Sequence, residues 1–148
     1  MVVCVCFRTS PVVRDMKELL VEADIENIRK VIDFVNAELE HHVCPPDRQT
    51  NINLAVEEVF TNIVNHSGQP PNEPVSIFIA VNGEAVIRFE DTGKFYNPLE
   101  HPEPDIDKPL MEREVGGLGI FLVKKMMDKT EYSRIGNKNV LTLMKKIR

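Results

Sequence analysis

A carboxylate and an amide lie four residues apart in the segment VEEVFTNIVNH, which runs from Val56 to His66. Apolar residues recur there at helical spacing, so Glu58 and Asn62 share one face of a predicted helix, beside its buried stripe. A carboxylate can accept a proton, and an amide oxygen can bind a hard cation such as Mg²⁺. Most such pairs are only solvated neighbours, so a site is inferred here only if other residues indicate the same place.

A second polar residue stands at the end of a predicted strand, in EDTGKFYNP. Asp91 ends the strand and Gly93 follows two residues later. A carboxylate in that position can accept a hydrogen bond from an exocyclic amine such as that of adenine, and a glycine beside it lets a flat ring approach the backbone. Because Asp-Thr-Gly is also ordinary turn chemistry, this motif is weak by itself.

A glycine-rich stretch, Gly116 to Gly119, begins another predicted helix. Glycines leave backbone N–H groups exposed, and a helix N-terminus adds partial positive charge, so Gly117, Leu118 and Gly119 could cradle phosphates. No Gly-Lys-Ser/Thr follows, and no third glycine stands at dinucleotide-binding spacing, which excludes both of those nucleotide motifs. A flexible hinge is the alternative interpretation, and the two can hold together.

The elements that position these residues follow an order that predicts an α+β fold. It is strand, helix, helix, hairpin, loop, helix, hairpin, which is typical of a two-layer sandwich with one mostly antiparallel, mixed sheet and helices on one face. Residues 1–15 are predicted to be an N-terminal extension or an extra edge strand, and residues 16–148 a single domain. The first predicted element is a strand at 16–23, although its Leu and Glu residues also allow a helix. Helices at 24–42 and 47–66, hairpins around Asn82-Gly83 and Gly136-Asn137, and a proline-rich loop at about 99–115 follow.

Bulk properties of the 148-residue chain limit the classes of function. The net charge of −5 argues against a general nucleic-acid-binding protein, and 43% hydrophobic with 28% charged residues is typical of a globular domain. No apolar run approaches the roughly 20 residues that cross a bilayer, and no secretory signal is recognisable. We therefore expect a cytoplasmic location, no membrane contact and no direct contact with nucleic acid.

The order of the three motifs resembles that of the GHKL ATP-binding superfamily. Its members carry Glu-x-x-x-Asn on a helix, Asp-x-Gly after a strand, a long loop, and Gly-x-Gly at a helix start. The segments EEVFTNIVNHSG, FEDTGKFYNP and GGLGIFLVKKMMD look most like the versions found in anti-sigma-factor serine/threonine kinases. The resemblance covers roughly residues 16–148 and implies the ATP-binding (Bergerat-type) fold of that superfamily.

The resemblance also implies a role for each residue of the motifs. Asn62 would bind Mg²⁺, Glu58 would be the general base, and Asp91 would bind adenine beside Gly93. Gly117, Leu118 and Gly119 would contact the phosphates, and the loop at about 99–115 would be a lid over ATP. The family often has a Thr on the last strand that supports the adenine-binding Asp, and here either Asn139 or Thr142 is the candidate.

The function implied is phosphorylation of a STAS-type anti-anti-sigma protein by a kinase that also sequesters a sigma factor, with ATP and Mg²⁺ as cofactors and a possible homodimer. One alternative is a regulatory module that binds ATP or ADP and holds a protein partner without phosphotransfer. Glu58 argues against that alternative, because binding alone needs no base. An ATPase machine of the gyrase type shares the Glu-x-x-x-Asn logic, but it needs a further domain to transmit motion.

Overall fold

The computed structural model describes residues 2–5, 16–70, 72–100 and 118–148. Across these ranges the chain forms a single sheet with α-helices packed against it. The strands are β1 (Val2–Val5), β2 (Met16–Val21), β3 (Val75–Val81), β4 (Glu84–Asp91), β5 (Lys129–Ile135) and β6 (Lys138–Lys146); the helices are α1 (Ile28–His41), α2 (Pro46–His66) and α3 (Leu118–Met126), with short 3-10 helices at Ile25–Asn27 and Pro98–Glu100.

The strand order in the sheet is β1-β2-β3-β4-β6-β5. Every pairing among the described strands is antiparallel. The two predicted hairpins are present, and Gly83 and Gly136 have φ values of 70° and 61°, which suit glycine in tight turns. The predicted α+β sandwich is therefore confirmed, although no parallel pair occurs in the described part of the sheet.

The main core lies between the helices and one face of the sheet. Side chains alternate between the two faces along each strand, and the odd-numbered residues of β4 and β6, such as Phe89 and Leu141, pack against α2 and α3. A smaller apolar cluster of Met16, Phe78 and Val86 lies on the opposite face. The described helices therefore cover the face of the sheet on which Asp91 of β4 and Asn139 of β6 also lie.

Two predicted segments are covered only in part. Residues 2–5 pair with β2 as an edge strand, and the remainder of 1–15 lies outside the described residues. Leu99 and Glu100 belong to the short 3-10 helix after β4, and residues 101–115 of the proposed lid lie outside as well. No helix in the described ranges is both long enough and apolar enough to cross a membrane.

Candidate functional site

The helix α2 carries Glu58 and Asn62 on the side that faces α3 and the end of β4. Its buried stripe includes Val59 and Ile63, which hold the helix against the sheet. Asn62 is partly buried and lines a pocket, and its side chain has no hydrogen-bond partner among the described residues. Its amide oxygen and nitrogen are therefore available to a ligand in that pocket.

Asp91 lies at the end of β4 and is 5% exposed. Its Oδ1 accepts hydrogen bonds from Asn139 Nδ2 and from the backbone N–H of Gly93, each at 3.0 Å. Its other oxygen, Oδ2, has no hydrogen bond to any described residue, and Asp91 lines the same pocket as Asn62. Hydrogen bonds to Oδ1 thus fix the carboxylate, and among the described residues Oδ2 is unoccupied.

Burial has an electrostatic consequence for this carboxylate. Loss of solvation raises the pKa of Asp91 above its usual range, while the hydrogen bonds from Asn139 and Gly93 and the charge of Arg134 act in the opposite direction. Desolvation is the largest of these effects, and the pKa of Asp91 lies above its usual range. Burial of the Asp91 carboxylate in a mostly apolar pocket therefore disfavours its charged form. Groups with a perturbed pKa of this kind are typical of functional sites.

Asn139 supports Asp91, and this answers the question that the sequence left open. The two residues are directly opposite in the β4–β6 pairing. Asn139 Nδ2 also donates to Lys94 O at 2.8 Å, and its Oδ1 accepts from Tyr132 Oη at 2.5 Å. Thr142 alternates to the opposite face of the sheet and cannot reach the pocket.

Sequence reasoning missed two further residues of this network, Tyr132 and Arg134 on β5. Arg134 donates to Asn139 Oδ1 at 3.1 Å and to Gly93 O at 2.9 Å. The signal was present in the hairpin: a two-residue turn at Gly136-Asn137 places Arg134 opposite Asn139. That register brings both side chains to the face that carries Asp91.

Gly93 is needed for close approach of the chain to the end of α2. A Cβ atom at this position would lie 2.1 Å from Ser67 O, and the next residue, Lys94, donates its N–H to the same oxygen at 2.8 Å. Backbone atoms cannot move aside as a side chain can. The structure thus provides a steric reason for this glycine, in addition to the predicted approach of a flat ring.

The pocket between α2, α3, β4 and β6 has a mostly apolar lining. The empty space is about 380 Å³, including the part open to solvent. Its walls combine a few polar groups with aliphatic and aromatic side chains, the usual composition of a small-molecule site. The lining residues are Val59, Asn62, Ile63, Ser67, Phe89, Asp91, Tyr96, Pro98, Ile120, Tyr132, Asn139 and Leu141.

The first turn of α3 touches Glu58. A Cβ atom built on Gly119 would lie 1.8 Å from Glu58 Oε1 and 2.3 Å from its Cδ. Glu58 is half-buried. Gly117 lies outside the described residues, and Leu118 is the first residue of α3. Of the predicted phosphate-binding stretch, the structure therefore places Gly119 against Glu58 of α2.

The described residues contain no group of three or more His, Cys, Asp or Glu side chains that could hold a metal ion. Asn62 has a hard amide oxygen that faces the pocket, which is compatible with Mg²⁺. This cation usually takes only one or two protein ligands and completes its shell with phosphate oxygens and water. A single ligand on α2 therefore fits a cation that arrives with a nucleotide.

Curated relatives share sequence with part of this chain. It is 28% identical over 95 residues to the serine/threonine-protein kinase BtrW of Bordetella bronchiseptica, covering 62% of this chain and 66% of the relative. It is 31% identical over 85 residues to the serine-protein kinase RsbW of Halalkalibacterium halodurans, covering 55% and 52%. The aligned regions thus span less than two thirds of either relative.

The fold and the family are established by two further matches. A crystal structure of the RsbU and RsbW domains of a Mycobacterium tuberculosis protein superposes with a TM-score of 0.66 at 13% identity, covering 90% of this chain and 34% of that one. The model of the histidine kinase-like ATPase domain, HATPase_c_2, matches residues 21–145. The chain therefore belongs to the histidine kinase-like ATPase domain family and is a nucleotide-using domain.

Proposed function

We propose that this protein is an ATP-dependent serine/threonine protein kinase that phosphorylates a STAS-type anti-anti-sigma partner and sequesters a sigma factor. The names of its relatives, a serine/threonine-protein kinase and a serine-protein kinase, support the reaction class. The negative net charge fits an action on transcription through proteins rather than through DNA. Such partners act in the cytoplasm, and the working unit is a homodimer.

One observation carries the nucleotide assignment: Asp91 is fixed through Oδ1 and keeps Oδ2 free of described partners at the edge of an apolar pocket. The exocyclic amine of adenine donates to Oδ2. Phe89, Ile120 and Leu141 supply the apolar walls for the ring. Guanine presents a carbonyl oxygen at the equivalent position, so a carboxylate there selects adenine.

Asn62 and the first turn of α3 bind the remainder of the nucleotide in this proposal. The amide oxygen of Asn62 ligates Mg²⁺, which supplies neutralisation of phosphate charge when it is bound. Backbone N–H groups of Gly117, Leu118 and Gly119 donate to phosphate oxygens at a helix N-terminus.

Glu58 is the general base. Glu58 lies one helical turn from Asn62 on α2. A substrate hydroxyl that approaches the γ-phosphate alongside α2 therefore also comes close to the Glu58 carboxylate. The seryl or threonyl proton passes to Glu58 as the hydroxyl oxygen bonds to the γ-phosphorus, and the bond to the β-phosphate oxygen breaks to release ADP. Positioning and electrostatics carry most of such a transfer, and the base directs the proton.

The test replaces Glu58 by Gln and measures phosphotransfer to a STAS-domain protein captured from the source organism. Gln retains the size of the side chain but cannot accept the proton, so the rate should fall by about 10²–10⁴. Affinity for ATP and for the partner should change little. Glu57→Gln is the matched control, because Glu57 is the exposed neighbour on α2 and should transfer phosphate at the wild-type rate.

Two results would contradict the proposal. If Glu58→Gln transfers phosphate at the wild-type rate, Glu58 is not the base. If the wild-type protein binds ATP and holds the captured partner but transfers no phosphate, the chain is a nucleotide-gated binding module, and the kinase assignment fails.

A further inference from the structure

We infer that Gly119 is a positioning residue for Glu58: the missing side chain on α3 creates the space in which the carboxylate of α2 is held. This inference rests on the proposed function, in which Glu58 is the base. A side chain at position 119 would displace the carboxylate from α3 without removing it from the protein. The role is distinct from donation of a backbone N–H to phosphate, which any residue with the same backbone can perform.

The distances identify Glu58 as the neighbour that requires a glycine. The three heavy atoms nearest to a Cβ on Gly119 all belong to the Glu58 side chain: Oε1 at 1.8 Å, Cδ at 2.3 Å and Cγ at 2.8 Å. Real Cβ atoms do not make contacts this short. Since Cγ is included, rotation of the carboxyl group alone does not relieve the overlap, and the whole side chain must change rotamer.

Helix propensity makes the glycine at this position informative. Glycine is a poorer helix former than alanine. Gly119 is the second residue of α3, and its φ is not in the left-handed region that only glycine tolerates freely. Neither helix formation nor backbone conformation therefore calls for glycine, whereas the Glu58 side chain does.

Gly119 differs from Gly93 in the kind of atom that an added Cβ would meet. The atoms that would collide with a Cβ on Gly93 include the backbone C and O of Ser67, which are fixed by α2. The atoms near Gly119 belong to the Glu58 side chain, from Cγ to Oε1, which can change rotamer as backbone atoms cannot. We therefore expect Gly119→Ala to fold and to retain its melting temperature, while the carboxylate of Glu58 is displaced.

The experiment is a double-mutant cycle that is read as phosphotransfer rate at saturating ATP. Gly119→Ala should lower kcat by about 10²-fold, the effect of displacing a catalytic group by roughly 1 Å. In a Glu58→Gln background the same substitution should cause no further loss, because no base remains to be displaced. Lys125→Ala, at an exposed position of the same helix, is the control and should leave kcat unchanged.

Two results in the cycle would overturn the inference. One is an equal loss of rate in both backgrounds, which would mean that Gly119 acts independently of Glu58. The other is a wild-type rate for Gly119→Ala. If Gly119→Ala does not fold, Gly119→Ala/Glu58→Ala should restore folding, because the atoms that collide are then absent; a double variant that remains unfolded would overturn the inference as well.

A readout without activity separates this inference from the proposed kinase function. The carboxyl carbon of Glu58, observed by ¹³C NMR, should change its chemical shift in Gly119→Ala and not in Lys125→Ala. If this change occurs while the wild-type protein transfers no phosphate, the kinase assignment fails and the positioning role stands. If phosphate is transferred but the resonance does not move, the positioning role fails and the kinase assignment stands.

Discussion

At the scale of single residues, the site depends on side chains whose hydrogen-bonding capacity is divided between protein and ligand. Asn139 uses both ends of its amide within the protein, donating to Asp91 and Lys94 and accepting from Tyr132 and Arg134. It is 5% exposed. Asp91 uses one oxygen in this way. The network therefore orients the carboxylate and leaves its other oxygen without a hydrogen bond to any described residue.

Replacement of Asn139 by Ala should therefore affect both stability and nucleotide binding. The substitution leaves buried partners unsatisfied, which typically costs about 1–3 kcal/mol, and it releases Asp91 from its support. Urea denaturation and calorimetry with ATP measure the two effects. Thr142→Ala is the control, because Thr142 faces the other side of the sheet; equal losses of ATP affinity in the two variants would contradict the assignment.

The raised pKa of Asp91 predicts a pH dependence of stability in the absence of nucleotide. Because desolvation raises the folded-state pKa above the unfolded-state value of about 3.9, the protonated carboxyl favours folding. This contribution is complete below the unfolded-state pKa and is lost as the pH rises through the folded-state pKa. Urea denaturation from pH 4 to pH 7 measures the free energy of unfolding of the wild type and of Asp91→Asn. Towards low pH, the wild type should gain stability relative to Asp91→Asn. A difference in free energy of unfolding that does not vary with pH would contradict this prediction.

At the scale of elements, the connection between α1 and α2 carries local strain. Val43 has a φ of 56° and is 79% exposed. It stands just beyond the end of α1, where Val43 N and Cys44 N donate to Glu40 O and Leu39 O. This hydrogen-bonded helix end normally uses glycine, and a β-branched residue in the left-handed region is an outlier.

Val43→Gly should therefore stabilise the protein, by about 1 kcal/mol once the greater freedom of glycine in the unfolded chain is subtracted from the strain that is relieved. Val43→Asn should stabilise it as well, because Asn tolerates the left-handed region without the flexibility of glycine. Urea denaturation measures both. Unchanged or lower stability in both variants would show that the turn is not strained.

At the scale of the whole molecule, the described helices cover one face of the sheet. The pocket lies at one edge of the interface between the helices and the sheet. The pocket receives residues from α2, α3, β4, β5 and β6, which are distant along the chain. A ligand there contacts residues that lie between Val59 and Leu141 on five separate elements. Its binding should therefore stabilise the folded chain as a unit.

ATP should raise the melting temperature of the wild-type protein. A ligand at 100 times its Kd stabilises the folded state by about 2.7 kcal/mol, and roughly 2–4 °C per kcal/mol applies to chains of about 150 residues. We expect an increase of roughly 5–11 °C with ATP and Mg²⁺ in a thermal scan, and a smaller one with GTP. An equal increase with ATP and GTP would contradict adenine recognition by Asp91.

In the same thermal scan, Asn62→Ala should lose mainly the dependence of the ATP-induced increase in melting temperature on Mg²⁺.

Local patterns in the sequence were sufficient to predict most elements and the parts of the site that are close together in the chain. Helical spacing placed Glu58 beside Asn62, and glycines in two-residue turns predicted both hairpins. Features that depend on distant residues required the folded structure. The β4–β6 register shows that Asn139 rather than Thr142 supports Asp91, and the packing of α3 on α2 brings Gly119 against Glu58. Contacts of this kind between separate elements follow from packing and not from local spacing.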